Sequence, residues 1–279
     1  MQEEKEQGQQ KEQSEQKEAQ ERSAPSGKIV YKAILKEGEE ELDRSSSALA
    51  WSGLAAGLSM GFSMIAEGLL TAFLPDAHWR PLVAKFGYSA GFLIVILGRQ
   101  QLFTENTLTP ILPLLQRKPN ASIANVLRLW IIVLIANLIG AFVVAIVVAQ
   151  TRAFDPEIQS AFAEIGHKAL EPGFGTVLLR GIFAGWLIAL MVWLLPFAET
   201  ARVWVIILLT YLVGLGHFSH IIAGAVETFT VAAMGEASWG TVFGGFIVPA
   251  LIGNIIGGVT LVAMLNHAQV VAGEKGQDM

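Results

Sequence analysis

Ser45–Ala66, Leu129–Thr151, Gly181–Ala198 and Ala237–Asn266 each run for 18 residues or more without an Asp, Glu, Lys or Arg. Each approaches or exceeds the ~20 residues that carry a helix across ~30 Å of hydrocarbon. Inside a membrane the backbone must satisfy its own hydrogen bonds, so these stretches read as helical spans. Only 15% of residues are charged, against roughly 25% in soluble domains, and many of those fall in the first 45 positions. A net charge of −5 without a basic stripe gives no reason to expect a nucleic-acid partner. The absence of cysteine excludes a disulfide scaffold, a thiolate metal site and a cysteine nucleophile.

Two further apolar regions are interrupted. Phe86–Gly98 and Asn106–Gln116 are too short to span alone and flank the polar Arg99-Gln100-Gln101-Leu102-Phe103-Thr104-Glu105. Val203–Val226 is long enough, but Gly214, Gly216, His217, Ser219 and His220 break its middle. The order is long, broken, long, repeated once, which predicts an all-α protein with six transmembrane helices, two of them discontinuous. An internal repeat agrees with that order. Ala136-Asn137-Leu138-Ile139-Gly140 matches Gly253-Asn254-Ile255-Ile256-Gly257 at a spacing of 117, and Leu102-Phe103-Thr104 matches Phe218-Ser219-His220 at 116. Three crossings per repeat invert the second half relative to the first, the arrangement that places a transport site at interrupted helices near the bilayer midplane.

The spans divide the chain into a disordered polar tail over 1–27, an amphipathic helix near the membrane surface over 28–44, a transmembrane pore domain over 45–267 with repeats at about 45–151 and 173–266, and a C-terminal tail over 268–279. The tail consists almost wholly of Gln, Glu, Lys and Ser, too polar to nucleate a core.

The two breaks carry the chemistry. Thr104 offers a hydroxyl and a helix start suited to an anion. Leu102 and Phe103 beside it supply apolar bulk that can close a pore by dewetting. His220, with an unperturbed pKa of about 6.5, can exchange a proton near neutrality. A buried packing histidine is the alternative reading. Glu67, Glu105, Arg180 and Glu227 lie in or beside apolar segments, where snorkelling or an interhelical pair accounts for them. Trp51, Trp79, Trp130, Trp204 and Trp239 fit interfacial anchoring.

These residues resemble the formate/nitrite transporter family over Lys28 to Asn266. Gly98 to Asn106 is similar to the family's G-x-x-L-F-T loop, Phe218 to Gly224 to its F-E-H-S-I-A-N motif, and Gly253 to Gly258 to its G-N-I-I-G-G sixth helix. Ala184-Gly185-Trp186-Leu187 takes the place of a fourth-helix A-N motif. The resemblance implies an aquaporin-like inverted repeat, a homopentamer in the lipid bilayer, and one anion pore per protomer. It places Thr104 and His220 as the central pair, and Tyr88, Phe92, Leu102, Phe103 and Val213 as constrictions. Lys168 falls beside a vestibule lysine, and His217, Ser219, Asn137 and Asn254 are supporting positions. Ser219 replaces a glutamate, and Gly185 and Gly224 replace asparagines.

Arg117-Lys118 in a short loop assigns that loop, and with it both termini, to the cytoplasm, and the resemblance implies a bacterial-type inner membrane. The expected function is a channel or transporter for small monovalent anions of the formate or nitrite class, with proton exchange at the central histidine. An aquaporin-like neutral-solute channel and a non-transporting membrane scaffold are the alternatives. No enzyme activity, cofactor or metal site is expected.

Overall fold

The computed structural model describes residues 26–275, so the expected tail lies outside the described residues except for Ser26 and Gly27. The described residues are helical with no strand. Helix α1 spans Gly27–Asp43, α2 Ser46–Phe73 and α3 Arg80–Leu97, the last through a 3₁₀ turn at Lys85–Tyr88. A short α4, Ile111–Leu115, is followed by α5, Ile123–Gln150, and α6, Pro156–Leu170. The second half holds α7 (Phe174–Phe197), α8 (Arg202–Leu215), α9 (Ile221–Ala233) and α10 (Trp239–Ala272).

Five helices, α2, α3, α5, α7 and α10, are long and apolar enough to cross a membrane. Helices α8 and α9 are shorter and meet at the second break. The apolar outer surfaces of α5 and α8 remain exposed, as at Ile131, Ile135 and Ile139 of α5 and Trp204 and Leu208 of α8.

Helices α2 and α5 start where the sequence provides a cap. Ser45 Oγ accepts from Ala48 N and Ser122 Oγ from Asn125 N, each satisfying one orphan amide. Helix α2 then lies against α5 and α7 against α10 at a separation that only glycine permits. A Cβ on Gly57 would collide with the carbonyl of Asn137, and one on Gly185 with that of Asn254. These two contacts are repeat mates. They bring the asparagines of α5 and α10 under the chain breaks.

Three segments differ from the sequence expectation. Asn106–Gln116 does not form a full half-helix: a 3₁₀ turn at Glu105–Thr107 is followed by five helical residues. Pro110 and Pro113 remove two backbone donors there, so a longer ladder cannot propagate. The expected loop Arg152–Glu171 is largely helix α6, begun by Asp155-Pro156 and held by Ile158, Ala161, Phe162 and Ile165 on one buried face. Helix α1 docks on the bundle rather than only lying on a surface. Tyr31, Ile34, Leu35 and Leu42 are buried, Tyr31 Oη lies 2.7 Å from His267 Nδ1, and Glu41 joins Gln101 and Thr109.

Candidate functional site

Both broken helices end in the same way. Helix α3 closes with Gly98 and then Arg99 at φ 51°, and α8 with Gly216 and then His217 at φ 50°. In each the next amide reaches back five residues, Gln100 N to Val95 O at 2.9 Å and Phe218 N to Val213 O at 3.0 Å. This is the Schellman closure, with a cation-forming residue in the left-handed position usually given to glycine. Such a placement costs of order 1 kcal/mol.

One asparagine then catches each released strand. Asn137 Oδ1 accepts from Phe103 N at 2.9 Å, while Nδ2 donates to Gly53 O at 2.7 Å and Gln101 O at 2.9 Å. Asn254 Oδ1 accepts from Ile221 N at 2.9 Å, and Nδ2 donates to Gly181 O at 2.9 Å and Ser219 O at 2.8 Å. Backbone freed from helix at membrane depth needs such partners. The matched atoms correct the register read from the sequence: Gly98, Arg99, Gln101 and Phe103 correspond to Gly216, His217, Ser219 and Ile221, a spacing of 118 rather than 116. Thr104 and His220 are therefore not repeat mates. They meet across the axis instead.

That meeting is direct. Thr104 Oγ1 lies 2.7 Å from His220 Nε2, with both residues buried. His220 caps α9, its Nδ1 accepting from Ala223 N at 3.2 Å. An Nδ1 that accepts carries no proton, so Nε2–H donates to the Thr104 hydroxyl. The hydroxyl proton of Thr104 stays available to a guest. Phe92 stands edge-on to the imidazole, ring centres 4.9 Å apart, and Tyr88 lies beyond Phe92 at 5.4 Å.

Two cavities approach this pair. The first, about 330 Å³, is lined by Tyr88, Val213, His217, Ser219, His220 and Lys168 among others. The second, about 620 Å³, is lined by Glu37, Glu41, Arg99, Gln101, Glu105 and Arg202. Phe92, Leu102, Phe103 and Thr104 line neither, and all four are almost wholly buried. They form the dry partition between the cavities. Phe103 packs edge-on against Trp130 at 5.9 Å. The Trp130 indole donates to Asn106 O at 2.7 Å, so this tryptophan braces the first break and is no interfacial anchor.

Lys168 sits on α6 at the rim of the first cavity, paired with Glu164 at 2.6 Å. That ammonium holds the Glu164 carboxyl below its ordinary range. His167 turns away to Glu236, at 2.7 Å.

Lys85 was not apparent from the sequence, nor was its partnership with Glu67, whose Oε1 lies 2.5 Å from Lys85 Nζ. The signal was present: both residues adjoin charge-free windows, Glu67 just after Ala66 and Lys85 just before Phe86. At the second cavity, burial pushes the half-buried Glu41 carboxyl up to about 7, against the lowering effect of hydrogen bonds from Thr109 and Gln101.

The profile of the family described as Formate/nitrite transporter matches residues 28–268. The inner membrane protein YfdC of Escherichia coli is 38% identical over 268 residues, covering 96% of this chain and 85% of the relative. Among solved structures, an FNT family ion channel superposes with a TM-score of 0.72 at 18% identity, over 85% of this chain and 97% of that one. A pentameric formate channel with formate bound superposes at 0.68 and 21% identity, over 88% and 100%. These matches extend across the α1 helix, both breaks and both asparagine clamps, and this chain belongs to the formate/nitrite transporter family.

Proposed function

We propose that this protein is a pore for a small monovalent anion of the formate or nitrite class, and that it acts by selective passage rather than by catalysis. The observation that carries this reading is the Thr104–His220 pair, sealed between two cavities and able to present a hydroxyl donor. A bare anion cannot cross dry hydrocarbon without large desolvation cost. Donors at the partition replace part of the lost hydration. Tyr88, Phe92, Leu102, Phe103 and Val213 form the apolar rings on either side, and Asn137 and Asn254 hold the breaks open to the guest. Lys168 and His217 form the rim of one vestibule, where Ser219 adds a small polar wall. Proton exchange at His220 requires Nδ1 to release the Ala223 amide, so in the capped geometry the imidazole is a fixed donor.

The exposed apolar faces of α5 and α8 suit lipid and neighbouring copies, in keeping with a homopentamer like the formate channel it superposes on. Helix α1 and the end of α10 are joined by Tyr31 and His267. We assign the side that carries these two described ends to the cytoplasm of a bacterial inner membrane, on the Arg117-Lys118 pair and the likeness to an inner membrane relative. The domain limits follow: a tail over 1–27, the docked helix, the pore domain to 267, and a C-terminal segment. The first cavity is then the outer vestibule and the second the inner one.

The test is uptake into proteoliposomes of formate, nitrite, acetate and glycerol at two pH values. Selective uptake of formate or nitrite supports the reading. Glycerol uptake alone would assign a neutral-solute channel, and silence toward every solute a membrane scaffold.

A further inference from the structure

The outer vestibule contains a charge cluster that the anion-pore reading leaves unused. Glu67 on α2, Lys85 on α3 and Glu227 on α9 line it from three different helices. Lys85 is committed to Glu67, both side chains being largely buried. Oε2 of Glu67 is buried without a hydrogen-bond partner. Glu227 is 9% exposed, and among the described residues its carboxylate makes no ion pair and no hydrogen bond. It follows His220 by two helical turns on the same face of α9, with Gly224 between them opening onto the cavity.

The charges around Glu227 come from every side. The two that act on it most strongly are Glu67 and Lys85. Farther out, Arg80 of α3 pairs with Asp76 at 3.3 Å, and Lys168 of α6 with Glu164 at 2.6 Å. Arg180 of α7, Glu171 and His217 complete the rim, and Tyr88 and His220 the floor. Helix α5 carries no acid, base or histidine except Arg128, and the opening turns of α10, Val242–Ile247, carry none.

Deep in the vestibule, two carboxylates face one ammonium. Glu67 and Lys85 cancel, so an ionised Glu227 leaves one uncompensated negative charge beside the route of an anion, in surroundings that screen it poorly. With a proton bound, the cluster is neutral and Glu227 becomes an O–H donor facing the cavity. Neutral His220 keeps its one proton on Nε2, donated to Thr104, and a neutral imidazole is not an acid near neutrality.

We infer that Glu227, set against the Glu67–Lys85 pair, is a proton-binding site that admits the anion to the outer vestibule only together with a proton. This rests on the anion-pore reading and deepens it. A proton from the outer aqueous phase adds to the Glu227 carboxylate. The entering anion accepts a hydrogen bond from that acid and then takes its proton. The O–H bond of Glu227 breaks, the O–H bond of the neutral weak acid forms, and the regenerated carboxylate is refilled from the same aqueous phase. One proton and one anion leave the vestibule as one neutral molecule.

The experiment uses the full chain reconstituted in lipid, as wild type, Glu227→Gln and Glu227→Asp, with two readouts. The first is infrared titration without any added anion. A carboxylic-acid band that titrates in wild type should vanish in E227Q and return, displaced, in E227D. The second is formate uptake against pH. Wild-type uptake should fall about tenfold per pH unit above the midpoint of that band. In E227Q the profile should flatten, with the protons taken up per formate reduced, and E227D should keep a steep profile with a displaced midpoint. The infrared arm keeps the two ideas apart: a wild type silent toward formate and nitrite defeats the pore reading, while the band still decides whether Glu227 binds a proton. A titrating band unchanged in E227Q overturns the inference, as does a wild-type pH profile in E227Q. Should E227Q fail to assemble, E227D decides alone: an unmoved band and an unmoved midpoint overturn it.

Discussion

Asn137 and Asn254, 117 residues apart in sequence, make the same three hydrogen bonds to the two broken segments. Each carboxamide uses its oxygen and both protons, and each is wholly buried. Replacing either with Ala strands a buried amide and two carbonyls. We expect Asn137→Ala and Asn254→Ala each to cost about 3 kcal/mol or more. Thermal unfolding in detergent should show a large drop for both, of similar size. A loss at one site only would mean that the two clamps are not equivalent.

His220 has two separable duties, capping α9 and donating to Thr104. Asn is among the best capping residues, and its amide oxygen can still accept from Ala223 N. It is too short to keep the bond to Thr104. His220→Asn should therefore assemble normally yet lose about tenfold or more in formate or nitrite uptake, roughly the 1.4 kcal/mol that one donor bond contributes. Uptake at matched protein levels, with oligomeric state checked by size exclusion, distinguishes this from misfolding. Full uptake in the variant would leave His220 as a cap alone.

At His217 the expectation reverses. The residue sits at φ 50°, a conformation that Asn and Gly adopt more readily. His217→Gly should raise thermal stability by up to about 1 kcal/mol, and Arg99→Gly, its repeat mate at φ 51°, should do the same. An unchanged melting temperature in both would show that other contacts of these two side chains offset the strain.

Glu41 links α1 to the first break. Its carboxyl is pushed up to about 7 by burial, so the folded protein holds this proton more tightly than the unfolded chain does. The associated stability is complete below the ordinary carboxylate range and is lost as pH rises through about 7. At a half-buried carboxylate, solvent screening reduces this to about 2 kcal/mol. Melting temperature measured from pH 5 to pH 8 should fall in wild type and fall less in Glu41→Gln. Hydrogen exchange in Gly27–Asp43 should rise with pH in parallel. Equal slopes in the two proteins would contradict this.

Much of this molecule was legible because a membrane simplifies the code. The absence of charge marked the long spans, and the repeated Asn-hydrophobic-hydrophobic-Gly segments marked the two halves. The polar interruptions marked where helices must break. Register within the breaks was not legible, because similarity of side chains favoured pairing Thr104 with His220. The backbone instead aligns Phe103 with Ile221, two unlike residues whose amides do the same work. Helix α6 was hidden by its charge, although Ile158, Phe162 and Ile165 kept a helical period. Partnerships such as Lys85 with Glu67 depend on helix rotation and close approach. No one-dimensional pattern specifies those.

The duplicated clamp has a consequence for direction. Because the two halves hold their breaks with the same bonds in opposite orientation, the scaffold is nearly indifferent to which face a solute enters from. Any rectification must then arise from the unlike vestibules. One is lined by Lys85, Glu67, Glu227 and Lys168, and the other by Glu37, Glu41 and Glu105 with Arg99 and Arg202. Exchanging charges between the mouths, with both clamps untouched, should therefore be enough to reverse the preferred sense of flow.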